Sequence, residues 1–346
     1  MNADSTEPTP TPTGPLAHLR IVDLSAVVSG PMAAGLLADQ GAQVVKVETR
    51  QGNLTRHIGP AKGDISALFA AINRGKRSIV LDLKQADGRR VLCELLASAD
   101  VLIESFRPGA MARLGLAYED VAAFNPRIIC LSISGFGQTG RQSQVRVYDS
   151  VIQAAAGFAD AHPDPHNGEP QLLQTLVCDK LTALTAAQAV TAALLGRERS
   201  GQGQKIALAM LDAAVAFLWP EAMYNQAFQH QPPPAMAEFG ASQRLWRCVD
   251  GWLAISTPQN DEFAALCRVL GQTDLITDPR FTTIPGRRQH LPQLRERLAP
   301  LVAQRLADDM VAELGAAGVP AGRVNSKAGL SDDAQVQHNA LLGQTD

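Results

Sequence analysis

No C-x-x-C pair, no secretory leader and no charge-free apolar run approaching the ~20 residues of a membrane span occurs in this sequence of 346 residues. The five cysteines, Cys93, Cys130, Cys178, Cys248 and Cys267, are isolated. They read as reduced, buried thiols of a cytosolic protein rather than a disulfide framework. The short apolar runs exclude a membrane helix, and a net charge of −3 with both signs interspersed offers no surface for nucleic acid. Any anionic ligand must therefore be held by local basic residues. His162 and His166 fall in HPDPH, where the prolines forbid the helix that would bring an i, i+4 pair onto one face, so no metal site is expected. Residues 1–15, MNADSTEPTPTPTGP, lack both the basic start and the apolar core of a signal peptide and read as a disordered leader.

What is present is a soluble composition, 46% hydrophobic against 19% charged, in a chain long enough for a large domain and a smaller one. Leu19–Leu24 reads as a strand, PMAAGLLADQ (31–40) as a helix opened by Pro31 and closed by Gly41, and Ala42–Glu48 as a second strand. The alternation continues with strand Ser78–Leu83, helix Asp87–Ala97, strand Val101–Glu104, helix Gly109–Gly115 and strand Arg127–Ser134. This predicts a doubly wound, Rossmann-like parallel α/β sheet over 16–228. Glu48 ends a βαβ unit as the ribose-binding acid of a dinucleotide site would. However, Gly30 and Gly35 are spaced G-x-x-x-x-G with no following Lys-Ser/Thr, which fits neither the dinucleotide nor the phosphate-loop pattern.

Further on, Gly135-Phe-Gly-Gln-Thr-Gly140 is a glycine-rich loop. Apolar residues from Leu181 to Leu194 recur at helical spacing, with Gly196-Arg197 reading as the stop, so Asp179 stands at a helix start. There it can be an N-cap or a functional carboxylate kept ionised by the helix dipole. Strand Gln204–Leu208 and helix Leu211–Trp219 follow, and QHQPPP (229–234) is a hinge. Beyond it, Asp250-Gly251 lies between strands Arg244–Cys248 and Trp252–Ser256. Helices Glu262–Leu270, Leu291–Ala303 and Ala307–Ala316 then complete a smaller α+β domain over 229–329. Residues 330–346 remain as a short C-terminal segment.

Several ungapped stretches resemble the family III CoA-transferases, which include formyl-CoA transferase and carnitine CoA-transferase and are related to the α-methylacyl-CoA racemases. They are LLADQGAQVVKVE (36–48), NRGKRSIVLDLK (73–84), ADVLIESFRPGAMARLGL (99–116), NPRIICLSISGFGQTG (125–140), Tyr148-Asp149, the Asp179 segment, AALLGRERSGQGQ (192–204) and DPRF (278–281). The resemblance implies an acyl-CoA:carboxylate CoA-transferase that holds no permanent cofactor and uses a coenzyme A thioester as substrate. It implies Asp179 as the nucleophile of an aspartyl-CoA thioester, and CoA contacts at Val27, Leu81, Phe106, Arg113, Arg146 and Tyr148. It also implies an interlocked homodimer. Gly135, Gly137 and Gly140 are loop positions whose N–H groups could meet an oxyanion, and Lys76-Arg77 is either a phosphate patch or a charged strand entry. Arg141 replaces the proline common after GFGQTG, and Glu238-Phe-Gly240-Ala replaces the glycine-rich flap of formyl-CoA transferases. Two other readings follow: a 2-methylacyl-CoA racemase or epimerase, although Tyr148 stands where that branch has histidine, and a non-catalytic CoA-binding paralogue.

Overall fold

The computed structural model describes residues 13–343 except 165 and 237. Most of the expected leader, residues 1–12, lies outside the described residues. Its last residues are exposed, with Gly14, at φ +123°, lying against the Gln40 carbonyl, which also accepts the Leu16 N–H at 2.9 Å.

The chain divides between Tyr224 and Asn225 into two compact units. In the first, strands β1 (Arg20–Asp23) and β2 (Gln43–Glu48) flank helix α1 (Ser29–Asp39). A small hairpin, β3 (Ala61–Lys62) with β4 (Ile65–Ser66), precedes α2 (Ala67–Asn73). Then come β5 (Lys76–Val80), α3 (Ala86–Ala97), β6 (Val101–Glu104), α4 (Ala110–Arg113), α5 (Tyr118–Phe124) and β7 (Ile129–Ser134). Helices α6 (Asp149–Ala155) and α7 (Val177–Ser200), strand β8 (Gln204–Ala209) and helix α8 (Met210–Ala222) complete the unit. The main sheet runs β5-β2-β1-β6-β7-β8, all parallel. This is the doubly wound order in which chain direction switches between β1 and β6 and ligands gather at the strands' carboxyl ends. β6 and β7 are buried at every residue, because a parallel sheet is covered on both faces and so favours mostly apolar strands; Glu104, Ser132 and Ser134 are the buried polar exceptions. One face is covered by α1, α6, α7 and α8 through Ala33, Leu37, Ile152, Ala186, Val190 and Leu218, and the other by α3 and α5 through Leu92, Leu96 and Val121.

Several expected boundaries move, each for a physical reason. β5 begins at Lys76 rather than Ser78, since the Lys76 side chain is drawn inward to a buried carboxylate. The helix expected over 109–115 shrinks to Ala110–Arg113 between left-handed Gly109 (φ +83°) and Gly115 (φ +69°). α7 runs through Gly196 to Ser200 because Arg197, on its inner face, pairs with Asp100 at 3.0 Å; left-handed Gly201 (φ +72°) is the real stop.

The second unit is α+β. Strands β9 (Trp246–Arg247), β10 (Trp252–Ile255) and β11 (Ala321–Arg323) form an antiparallel sheet in the order β11-β10-β9. Helices α9 (Asn260–Val269), α10 (Ile284–Gln289), α11 (Leu291–Val302), α12 (Ala307–Ala316) and α13 (Ala334–His338) accompany it, over a core that includes Trp246, Leu253, Phe263, Phe281, Leu298 and Met310. The Asp250-Gly251 turn does not take the left-handed glycine of a tight hairpin. Its Asp250 carboxylate instead accepts the first N–H of α12, from Ala307, at 2.8 Å.

Candidate active site

The loop from β1 to α1 is fastened from beneath by a buried charge cluster. Asp23, fully buried, accepts from the N–H of Ser25 at 2.9 Å and from its hydroxyl, and meets Lys46 Nζ at 3.3 Å and Lys76 Nζ at 2.9 Å. The two ammoniums reach on to backbone carbonyls at either end of the loop: Lys46 donates to Ser25 O at 3.0 Å and Lys76 to Pro31 O at 2.6 Å. Burial works to raise the Asp23 carboxyl, but Lys76 and Lys46 hold it below its ordinary value. Burial pushes Lys76 down to about 8. Lys76 is thus neither a phosphate patch nor a solvated strand entry.

Between those ends, Val27 adopts φ +64°, a left-handed conformation that a β-branched residue keeps only where its surroundings impose it. Its N–H donates to Asn53 Oδ1 at 3.3 Å. Glu48 accepts the Asn53 N–H and is claimed by Arg56 at 2.6 Å, so this acid does the work of a loop anchor.

The loop delivers Ser29, the first residue of α1, to Asp179. Asp179 is the third residue of α7 and is buried, yet it does not cap its own helix, whose N-cap is Leu176. Its carboxylate accepts from the Ser29 hydroxyl and N–H and so rests on the positive end of α1. Its own N–H donates to Asp149 Oδ1 at 2.9 Å. Asp149, also buried, accepts Gln153 Nε2 at 2.6 Å. Gln153 in turn bonds the backbone of Leu173 in both directions and the Thr175 carbonyl at 3.1 Å, fixing the approach to α7. Burial raises the Asp179 carboxyl above its ordinary value and the charge of Asp149 adds to the rise, while the Ser29 hydroxyl and N–H oppose it.

A cavity of ≈470 Å³ opens over this carboxylate, walled by Val27, Leu54, Ile58, Leu68, Leu172 and Leu176, with Tyr148 and Asp149 also at its surface. Val27, Tyr148 and Asp179 are therefore brought together. Leu81 and Phe106 are half-buried against the α3–α5 side of the core, and Arg113 and Arg146 are exposed. None of these four lines the cavity, nor do Gly135, Gly137 and Gly140. Sequence reasoning missed Ser29, Asp149 and Gln153 as parts of the site. The available signals were a serine directly before Gly30-Pro31 at a helix start and an acid beside Tyr148.

The arrangement is suited to carboxylate nucleophilic chemistry. Asp179 is poor in hydrogen bonds, shielded from water and open to an apolar cavity, conditions that leave a carboxylate reactive. The neighbouring Cys178 thiol is pushed up to about 12 by burial and by the charges of Asp149 and Asp179, so thiolate chemistry is not offered there. Among the described residues, no three His, Cys, Asp or Glu side chains gather into a possible metal site, and no helix is long and apolar enough to cross a membrane.

The family model of CoA-transferase family III matches residues 16–346. The chain is 35% identical over 338 residues to the succinate–glutarate CoA-transferase of Agrobacterium fabrum, covering 94% of this chain and 84% of that one. It is 37% identical over 325 residues to the acetyl-CoA:oxalate CoA-transferase of Acetobacter aceti, covering 92% and 82%. Among solved structures, a CAIB/BAIF family protein from Brucella suis is similar with a TM-score of 0.82 at 35% identity, covering 94% of this chain and 88% of that chain.

Proposed function

The chain belongs to CoA-transferase family III and is an enzyme of that kind, using CoA thioesters as substrates; from that premise we propose that Asp179 is its covalent nucleophile. The observation that carries the reading is the buried, raised-pKa carboxylate seated on Ser29 beneath an apolar cavity. In the proposed cycle, an Asp179 oxygen attacks the donor thioester carbonyl, and the C–S bond breaks to give a mixed anhydride and CoA thiolate. The thiolate attacks the Asp179 acyl carbon, expelling the donor carboxylate and leaving an aspartyl-CoA thioester. An acceptor carboxylate attacks that thioester and displaces the thiolate. The thiolate then takes the acceptor's acyl carbon and returns Asp179 to its carboxylate. Ser29 supplies donors where each oxyanion forms.

No cation lines the cavity among the described residues, and Leu54, Ile58 and Leu172 at its mouth are exposed. The acyl group is accordingly apolar rather than a second carboxylate. Incubation with a panel of acyl-CoA donors, trapping with hydroxylamine and mass spectrometry of the Asp179 peptide tests both points. The adduct should form with apolar donors; its absence from every donor would end this mechanism.

The acid limb of kcat/KM provides a second check. Asp179 must be ionised to attack, so activity should rise with pH through a value above the ordinary 3.8. Ser29→Ala removes a hydrogen bond to the ionised form and should move this limb to higher pH. Asp149→Asn removes a repelling charge and should move it lower. Shifts of the same sign in both variants would mean that the limb is not that of Asp179.

Val27, Leu81, Phe106, Arg113, Arg146 and Tyr148 are proposed as CoA contacts. Arg113 and Arg146 are exposed and stand ready for phosphates. Reversing either to Glu should weaken CoA binding by at least about tenfold, measured calorimetrically, and unchanged affinity would relocate the site. The free cysteines fit a cytoplasmic protein, and the proposed assembly is a homodimer. Light scattering should return twice the chain mass.

A further inference from the structure

The larger cavity of the second unit, ≈770 Å³, is lined by four arginines, Arg244, Arg287, Arg288 and Arg295, and by no aspartate or glutamate among the described residues. Elsewhere in the same unit, Arg280, Arg297, Arg305 and Arg323 each meet a carboxylate. None of the four around the cavity does so among the described residues. Arg287 is more than nine-tenths buried and lies 4.8 Å over the Phe263 ring; its Nη1 donates to Asn260 Oδ1 at 2.8 Å and Phe281 O at 3.0 Å, while its Nη2 is buried with no hydrogen-bond partner. Arg295 lies 4.3 Å over the Trp246 ring and donates to Leu245 O at 2.9 Å. Burial and the nearby charge of Arg244 both act against its charged form. The remaining walls are mostly apolar, with Leu245, Ile284, Leu291 and Trp246 prominent, and carry three neutral polar residues, Gln243, Ser256 and Thr257.

Arg244 and Arg295 act against one another with no counter-charge in the cavity lining, and a buried donor with no acceptor is destabilising. An anion entering the cavity would relieve both. A planar carboxylate matches the donor fork of arginine, and the apolar walls would cover a hydrocarbon body but give nothing to a fully hydrated ion. We propose that this cavity is a second binding site, for an organic carboxylate with an apolar chain, its head held by the arginines and its body laid along Trp246. The site is separate in composition from the Asp179 cavity, and its occupation does not depend on the covalent cycle.

The test is calorimetric titration of the full chain, at constant ionic strength, with hexanoate, acetate and inorganic phosphate as probes. Hexanoate should bind saturably, acetate at least about tenfold more weakly, and phosphate without saturation. Arg244→Gln and Arg288→Gln change exposed or half-exposed side chains that form no ion pair among the described residues. Each should weaken hexanoate by about tenfold, whereas Asp179→Asn should leave it unchanged. The proposal is overturned by no saturable hexanoate binding, by affinity indifferent to both arginine variants, or by phosphate binding as well as hexanoate. Loss of binding in Asp179→Asn would assign the carboxylate to the other cavity and overturn it as well.

Discussion

Asp179→Asn should lose transfer activity by at least about 10⁴-fold, the order expected when a covalent nucleophile is removed, while remaining folded. The amide keeps an oxygen that can accept from Ser29 but cannot form the anhydride. Stability gives an independent readout. The native carboxyl titrates above 3.8, so between that value and the raised one the folded protein binds a proton more tightly than the unfolded chain. Stability from this group therefore falls as pH rises through the window, and at pH 7 the ionised side chain is a net cost. The variant should be at least as resistant to urea as the parent at pH 7. Full turnover in freshly purified variant, checked by mass for deamidation back to aspartate, would remove Asp179 from the reaction. A large loss of stability would make it a structural cap instead.

Asp23→Ala should destabilise the first unit by about 3–5 kcal/mol, since it leaves Lys46 and Lys76 as buried charges without their partner. The Asp23 carboxyl lies below its ordinary 3.8 in the folded state, so its contribution is complete above 3.8 and is lost as pH falls towards the depressed native value. The difference between parent and variant should shrink over that acid window. Lys76 acts oppositely at the alkaline end: with a folded value of about 8 against 10.5, its contribution to stability rises with pH between the two. Urea titrations from pH 3 to pH 9 would follow both effects. A loss below about 1 kcal/mol at pH 7, the scale of an exposed pair, would show that the cluster does not hold the loop.

The fold was legible because its signals are local. β6 (VLIE) and β7 (ICLSIS) are short, mostly apolar runs, PMAAGLLADQ has a proline at its start and a glycine after its end, and such units recur in the βαβ rhythm of a parallel sheet. The site was legible only in part, because its bonds join residues far apart in sequence. Ser29 and Asp179 are separated by 150 positions, and Lys76 and Asp23 by 53, so nothing near Lys76 marks it as buried. The same cause misplaced the end of α7. Gly196 looks like a stop until Arg197 finds Asp100 across the sheet. Asp179 was correctly placed at a helix start, but the helix whose dipole it feels most directly is α1. Periodicity within α7 carries no information about that neighbour.

In sheets with this strand order, the first helix after β1 offers its amino end to a visiting phosphate. Here that berth is held by the chain's own carboxylate. The occupant is a reagent rather than a guest, and its charge changes during the proposed turnover. Once Asp179 is acylated or carries CoA, the berth has lost its anion, and with it an interaction of roughly 0.3–1 kcal/mol, or up to ~2 kcal/mol where partly buried. Against this stands the larger cost of burial and of the Asp149 charge, which the ionised form carries and the covalent forms shed. The berth therefore tempers the tension of a buried charge without removing it: the nucleophile is held in line while its charge stays costly, and so ready to be spent in bond formation.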